Sequence, residues 1–328
     1  MDLGDTLSRP ARRLHAELAD DGVALQDHAE ASALGVILDE LDYARRPRIF
    51  EQRAPLYGAF VVPDDRSLVG AGELVDLVDL DHLPLDSARR FADGRSTYLV
   101  RQLDGRLQLA CFRRSVQYEA DMVEVQDNTG AFIVQRTVMG VVRLFVPTGT
   151  VEWAGYRWST RPSAGAQFRS LKPQLPGLPA PVLAGLLKLS LHWLSPGRVG
   201  ATLVVHRGDI LADAGGATDG LDLEHSITAP ALRVTARHHY PALYAALSQS
   251  DLAAIIDTGG TVKRVGVGLR SSTAAENAVD DSRGMRHRSA ARYTFDHPEA
   301  VAVVVSEDGP VTVFHRGRAL SECAASAA

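Results

Sequence analysis

The sequence predicts an α/β C-terminal domain, a central mixed β-sheet flanked by helices, preceded by an α+β domain. Three observations predict it. In the C-terminal half, five short apolar, β-branched runs at 199–205, 253–256, 262–267, 301–305 and 311–314 alternate with helix-length or loop-like segments. In the N-terminal half, helical periodicity gives way to hairpin-forming sequence. Between the halves, residues 161–181 hold Pro162, Pro173, Pro176, Pro179 and Pro181 among Gly and Ser, the composition of a linker.

In chain order, residues 3–41 carry Ala, Leu and acidic residues at a spacing that predicts two helices. Residues 58–62 read as a strand turned by Pro63-Asp64-Asp65, and 72–80 and 85–91 read as helical. Asp104-Gly105 between the apolar runs 96–103 and 106–112 is the strongest hairpin signal in the chain. The segments 131–146 and 150–158 extend the strand-rich region, broken at Pro147-Thr148-Gly149. Trp153, Tyr156 and Trp158 suggest one aromatic strand face, more in keeping with packing than with a ligand. Beyond the proline-rich segment, 182–194 has helical length and is ended by Ser195-Pro196-Gly197. Strand 199–205 follows, and Gly259-Gly260 joins two strands into a hairpin. The domains are accordingly 1–170 and 178–322.

Composition bounds the function. A chain of 328 residues, 45% hydrophobic and 23% charged, has the make-up of a globular protein of two ordinary domains. A net charge of −5 argues against nucleic acid as a partner. No run of about 18 uninterrupted apolar residues exists, and Asp2, Asp5 and Arg9 do not begin a signal peptide, so no membrane association is expected. Cys111 and Cys323 fit neither a disulfide framework nor a zinc site, and suit a reducing cytoplasm. His238-His239 stand before an expected helix entry without partners at metal-ligand spacing, and Gly266-Val267-Gly268-Leu269 lacks the third glycine of a dinucleotide fingerprint.

The chemistry concentrates near the C-terminus. Gly284-Met285-Arg286-His287-Arg288 offers two guanidinium forks that match phosphate oxygens, flanking an imidazole. Ser306-Glu307-Asp308 closes an apolar strand with carboxylates suited to a divalent cation, and Asp251 opens another strand. A cation clamp with metal carboxylates is the minimal equipment for phosphoryl or nucleotidyl transfer. A basic triplet alone is more often a solvated surface; the order of surrounding elements raises the functional reading.

That order resembles the diadenylate cyclase (DAC) domain family, the nucleotide-binding domain also found in the DNA-integrity-scanning protein. The family shows a helix, a strand beginning near Gly-Ala, then Asp-Gly-Ala, Gly-Thr-Arg-His-Arg and Val-Ser-Glu-Glu motifs. Here helix 182–194, Gly200-Ala201, Asp251-Leu252-Ala253, Gly284 to Arg288 and Ser306-Glu307-Asp308 stand in that order. Three positions depart from the pattern. Leu252 replaces a glycine, Met285 replaces a threonine, and Ser250 stands where some members carry histidine.

The resemblance implies condensation of two ATP molecules into cyclic di-AMP with release of two pyrophosphates. It implies Asp251, Arg286, His287 and Arg288 as catalytic residues. Leu252, Ala253, Gly268, Leu269, Gly284, Met285, Ser306 and Glu307 would contact the nucleotide, with backbone near Gly268-Leu269 reading adenine at a strand edge. Asp251 and Asp308 would hold Mg²⁺ or Mn²⁺. One domain holds one ATP, so the implied active species is a homodimer or higher oligomer with cyclase domains face to face. The N-terminal domain would sense a ligand and regulate. A catalytically silent nucleotide sensor of the same fold is the alternative, and an interaction scaffold with a relic pocket is a third reading.

Overall fold

The computed structural model describes residues 7–27, 29–47, 49, 51, 54–63, 68, 75–116, 118–206, 220–279, 284–307 and 309–323. The chain divides into two compact units, Met1–Ser163 and Ala164–Ala328.

The first unit opens with α1 (Arg9–Asp20) and α2 (Ala31–Arg45). Ser8 caps α1 by accepting the Ala11 N–H at 3.3 Å, Pro10 stands in its first turn, and Ala11, Leu14 and Leu18 are buried at helical spacing. The strands are β1 (Tyr57–Val62), β2 (Val75–Asp79), β3 (Thr97–Gln102), β4 (Leu107–Phe112), β5 (Phe132–Arg136), β6 (Val142–Val146), β7 (Gly149–Trp153) and β8 (Trp158–Pro162), with α3 (Leu85–Ala88) after β2 and α4 (Glu119–Thr129) after β4. They form one mixed sheet in the order β2-β4-β3-β1-β5-β6-β7-β8, in which only β1 and β3 are parallel. Leu14, Leu18, Leu34, Ile37 and Leu41 pack on the sheet face bearing Ala59, Leu99, Val134 and Leu144. Met122 and Val125 of α4 pack on the opposite face with Phe60, Tyr98, Ile133 and Phe145.

Three readings of this region are corrected. Residues 75–79 within the expected helix 72–80 are strand β2, because its Val75-Asp76-Leu77-Val78-Asp79 pairs along β4 at the sheet edge; residues 72–74 lie outside the described ones. Helix α4 was not anticipated, since two of its four buried positions are polar, Glu119 and Gln126, which blurs the apolar stripe. Trp153, Tyr156 and Trp158 do not lie on one strand. Trp153 ends β7 and the fully buried Trp158 begins β8 directly opposite it, so these two share a sheet face with their rings 6.5 Å apart and pack in the core, whereas Tyr156 is exposed in the turn between the strands.

The second unit contains α5 (Ala164–Leu171) and α6 (Ala180–Leu189), which runs into a π-helical turn at Ser190–Leu194. Then follow β9 (Ala201–Val205), β10 (Leu221–Asp222), β11 (Ile227–Thr228), α7 (Tyr240–Leu247), β12 (Ala253–Ile256), β13 (Val262–Leu269), α8 (Thr273–Ala278), α9 (Met285–Asp296), β14 (Val301–Val305), β15 (Val311–His315) and β16 (Arg318–Cys323). The sheet order is β10-β13-β12-β9-β14-β15-β16, with β11 also on β13. All five runs singled out in the sequence lie in this one sheet, and it is mixed because β12 is parallel to β9.

The apolar runs are continuous because both sheet faces are covered. Leu203, Val205, Ala254, Ile256, Val303 and Val313 face Leu183, Leu186, Leu187 and Leu243 of α6 and α7. The alternate residues Val204, Ala253, Ile255, Ala302, Val304 and Phe314 face Ala290, Ala291 and Tyr293 of α9. The proline-rich segment is not a bare linker. Its prolines break it into short helical pieces, and Leu171, Leu175 and Leu178 are buried in the C-terminal core.

Candidate active site

Sheet register gathers the motif residues. Strand β12 is parallel to β9, with Ala253 opposite Thr202, and β14 is antiparallel to β9, with Val305 opposite Ala201. The start of β12, the start of β9 and the end of β14 therefore share one end of the sheet. Asp251 stands two residues before β12, Gly200 immediately before β9, and Ser306-Glu307 immediately after β14. The first turn of α9 supplies Arg286, His287 and Arg288.

Arg286 joins the two carboxylate-bearing loops. Its Nη1 donates to Glu307 Oε1 at 3.0 Å and its Nη2 donates to Asp251 Oδ1 at 3.1 Å. The guanidinium lies against Gly200, where an added Cβ would collide with Nη1. A side chain at 200 would push Arg286 off both acids, so the Gly-Ala start of the strand has a steric reason. The Arg286 side chain is 25% exposed, Glu307 67% and Asp251 95%. Ion pairs this open hold geometry more than they stabilise the fold, and Asp251 keeps most of its surface for another ligand.

Consecutive helical residues point about 100° apart, so the three basic residues leave the helix backbone in different directions. His287 turns toward the sheet, its Nε2 3.3 Å from Thr312 Oγ1 and its ring 5.8 Å from that of Phe314. Arg288 is half-buried in the same turn, with its backbone N–H donating to the Gly284 carbonyl. Gly284 and Met285 are exposed at the helix start. Ser306 makes the turn between β14 and β15, its N–H donating to Pro310 and its carbonyl accepting from Gly309. Leu252 exposes its side chain beside Asp251, whereas Ala253 is buried.

Gly268 and Leu269 reach the same sheet end, since Val267 stands opposite Ala253. Their outer edge is paired with β10. Asp222 and Leu221 of β10 pair with Gly268 and Leu269, and the Arg270 N–H donates to the Gly220 carbonyl. Gly268 permits this approach, since a Cβ would sit 2.9 Å from Asp222 Cβ. The Glu224 N–H, followed by the Arg270 guanidinium, holds the Asp222 carboxyl below its ordinary pKa. Asp308, assigned to metal binding, lies outside the described residues.

The sequence did not single out Thr312, the partner of His287; only the pairing of β14 with β15 brings it there. A hard divalent cation takes oxygen donors, and the exposed Asp251 carboxylate with Glu307 nearby is a donor set of that kind. A cavity of about 570 Å³ lies elsewhere, lined by residues that include Val205, Thr258, Val301 and His315 at the opposite strand ends.

Comparison with known proteins finds two family matches, each over part of the chain. Residues 188–319 match the family described as "DisA bacterial checkpoint controller nucleotide-binding", the DAC family. Residues 12–161 match the family described as "Probable sensor domain DACNK". No curated protein matches the chain. Among solved structures, it is similar to a "hypothetical membrane spanning protein from Bacillus cereus", at 19% identity and a TM-score of 0.33, covering 49% of this chain and 76% of that one. It is also similar to a double mutant of DacA from Staphylococcus aureus, at 21% identity and a TM-score of 0.29, covering 44% of this chain and 87% of that one.

Proposed function

We propose that this chain, in which a DACNK sensor domain precedes a DAC nucleotide-binding domain, is a diadenylate cyclase that makes the second messenger cyclic di-AMP. The observation that carries the reading is the meeting of Asp251, Arg286 and Glu307 around Gly200 at one sheet end. In each half-reaction the 3′-oxygen of one ATP forms a bond to the α-phosphorus of the other. The bond from that phosphorus to the bridging oxygen breaks, and pyrophosphate leaves with the electron pair. The hydroxyl proton passes to a carboxylate, the role assigned to Asp251. Arg286 and Arg288 bind phosphate oxygens, and the leading N–H groups of α9 at Met285 and Arg286 face the same negative charge. His287, held by Thr312, and Ser306 complete the donors.

Mg²⁺ or Mn²⁺, held by Asp251 and Asp308, would neutralise charge on the triphosphate. Gly268 and Leu269 contribute the backbone groups that do not serve β10, next to Leu252 and Ala253. The attacking hydroxyl belongs to a second ATP, so two domains must meet face to face, as a homodimer or larger assembly. A cytoplasmic setting supplies the ATP.

A silent nucleotide sensor is the second reading, favoured by one observation. Leu252 projects an exposed isobutyl group beside Asp251, where the family carries glycine and a nucleotide approaches closely. Purified protein incubated with ATP and either Mg²⁺ or Mn²⁺, followed by mass detection of cyclic di-AMP, decides between them. Product formation supports the cyclase. ATP binding without product under both metals supports the sensor, and absence of both overturns the nucleotide site.

A further inference from the structure

We propose a second metal site, for a late first-row divalent cation of the Zn²⁺ class, formed by His206, His297 and Glu299. It lies at the end of the C-terminal sheet opposite the nucleotide site and is independent of the cyclase reading. Strand β9 ends where β14 begins, with Val205 opposite Val301. That register carries His206, the next residue after β9, to the loop between α9 and β14, which bears His297 and Glu299. One potential ligand atom from each residue lies within 4.8 Å of the other two, the one such His/Cys/Asp/Glu cluster among the described residues.

The donor chemistry and geometry fit the cation. Two imidazoles and one carboxylate are a donor set of open zinc sites, which keep the fourth position for water or another ligand. With metal–ligand bonds near 2.0–2.1 Å, tetrahedral ligand atoms stand about 3.3 Å apart. Glu299 Oε1 is 2.8 Å from His206 Nε2 and 3.8 Å from His297 Nδ1, so the observed separations bracket that spacing. An ordinary ion pair uses one imidazole, whereas here two rings face the same carboxylate oxygen.

The scaffold is ordered on each side. The Ala300 N–H donates to the His297 carbonyl at 2.9 Å, closing the turn that carries two of the ligands. The His297 ring stacks on Tyr293 at 4.4 Å, with its Nε2 against Gly220, which leaves Nδ1 toward Glu299. His206 is buried. Glu299 also lines the cavity of about 570 Å³, together with His315 and Arg316, which provides an entry path and room for a fourth ligand.

The test is calorimetric titration of ZnCl₂ into the full chain without nucleotide, with thermal unfolding in parallel. One Zn²⁺ per chain should bind and raise the Tm. His297→Ala and Glu299→Gln should each weaken binding at least about a hundredfold, the upper range seen when even an outer-shell partner of a metal site is lost. Asp251→Asn should leave Zn²⁺ binding unchanged, which separates this site from the nucleotide site. Circular dichroism checks that each variant is folded; the half-exposed Glu299 makes Glu299→Gln decisive if His297→Ala is not. Failure of the wild type to bind Zn²⁺, equal binding by folded Glu299→Gln, or loss of binding in Asp251→Asn overturns the site.

Discussion

Arg286 ties together what the sequence scatters across more than fifty residues, because one planar fork reaches an acid on each of two loops. Its neighbour His287 turns to Thr312 instead, so residues of the basic triplet should behave differently when changed. Asp251→Asn keeps size and removes charge. If Asp251 takes the proton or holds the metal, turnover should fall about a hundredfold to ten-thousandfold while ATP still binds. Full turnover in this variant would remove the assignment. Arg286→Ala should weaken ATP binding itself, since phosphate contacts exist in the ground state as well as the transition state. Gly200→Ala tests the same contact from below. The added methyl meets the mobile end of Arg286, so the fold should survive with a small change in Tm. Apparent ATP affinity should drop about tenfold or more, the scale of losing charge-assisted hydrogen bonds. Titration calorimetry with ATP, beside a melting curve, reads both quantities.

Whole elements carry their own electrostatics. The β12–β13 hairpin turns through Asp257, whose N–H donates to the Thr261 carbonyl and whose Oδ1 accepts from the Thr261 N–H at 2.8 Å. Burial opposes ionisation of this carboxyl, but the Thr261 N–H and the Lys263 ammonium outweigh it and hold the pKa below the ordinary value of 3.8. A depressed folded pKa contributes stability above the unfolded pKa, and that stability is lost as pH falls through the folded value. Wild-type Tm should therefore fall more steeply below about pH 4 than the Tm of Asp257→Asn. Parallel curves would show that the turn carboxyl does not contribute. In the N-terminal unit, the buried Glu40 of α2 accepts from Arg89 at 2.9 Å and also from Tyr57 and Arg101. Glu40→Ala leaves Arg89 buried without this counter-charge and should destabilise that unit by about 3–5 kcal/mol, measurable by urea unfolding.

At the scale of the molecule, the sequence places the boundary in a stretch whose leucines belong to the C-terminal core. A C-terminal fragment starting at Ala164 keeps Leu171, Leu175 and Leu178, each of which is buried. A fragment starting at Pro179 loses all three, at about 1.5–3 kcal/mol for each buried leucine. That total is a large part of the stability of an ordinary domain. The longer fragment should unfold cooperatively and the shorter one should aggregate or melt without a sharp transition. Comparable unfolding of both would show that α5 is dispensable. The proposed activity has a second whole-molecule signature: if two facing domains are needed, turnover per chain should rise with protein concentration, which dilution assays with sedimentation measurements would follow.

The sequence by itself determined the strands of the C-terminal sheet, the 182–194 helix and the order of the motifs. Those strands are buried on both faces, so each is an unbroken β-branched run whose meaning does not depend on its neighbours. It determined the two N-terminal helices and the Asp104-Gly105 hairpin for the same reason, since caps, periodicity and turn residues are local. Strand β2 escaped because an exposed edge strand needs no apolar alternation, and α4 because its buried face uses Glu119 paired with Arg161. Only the tertiary structure decided which motif residues meet. Strand direction and register are long-range properties, and they alone bring Asp251 and Glu307 to opposite sides of Gly200, turn His287 to Thr312, and cover Gly268 with β10. The same register, at the other end of β9, sets His206 against His297 and Glu299, a grouping that no spacing along the chain encodes.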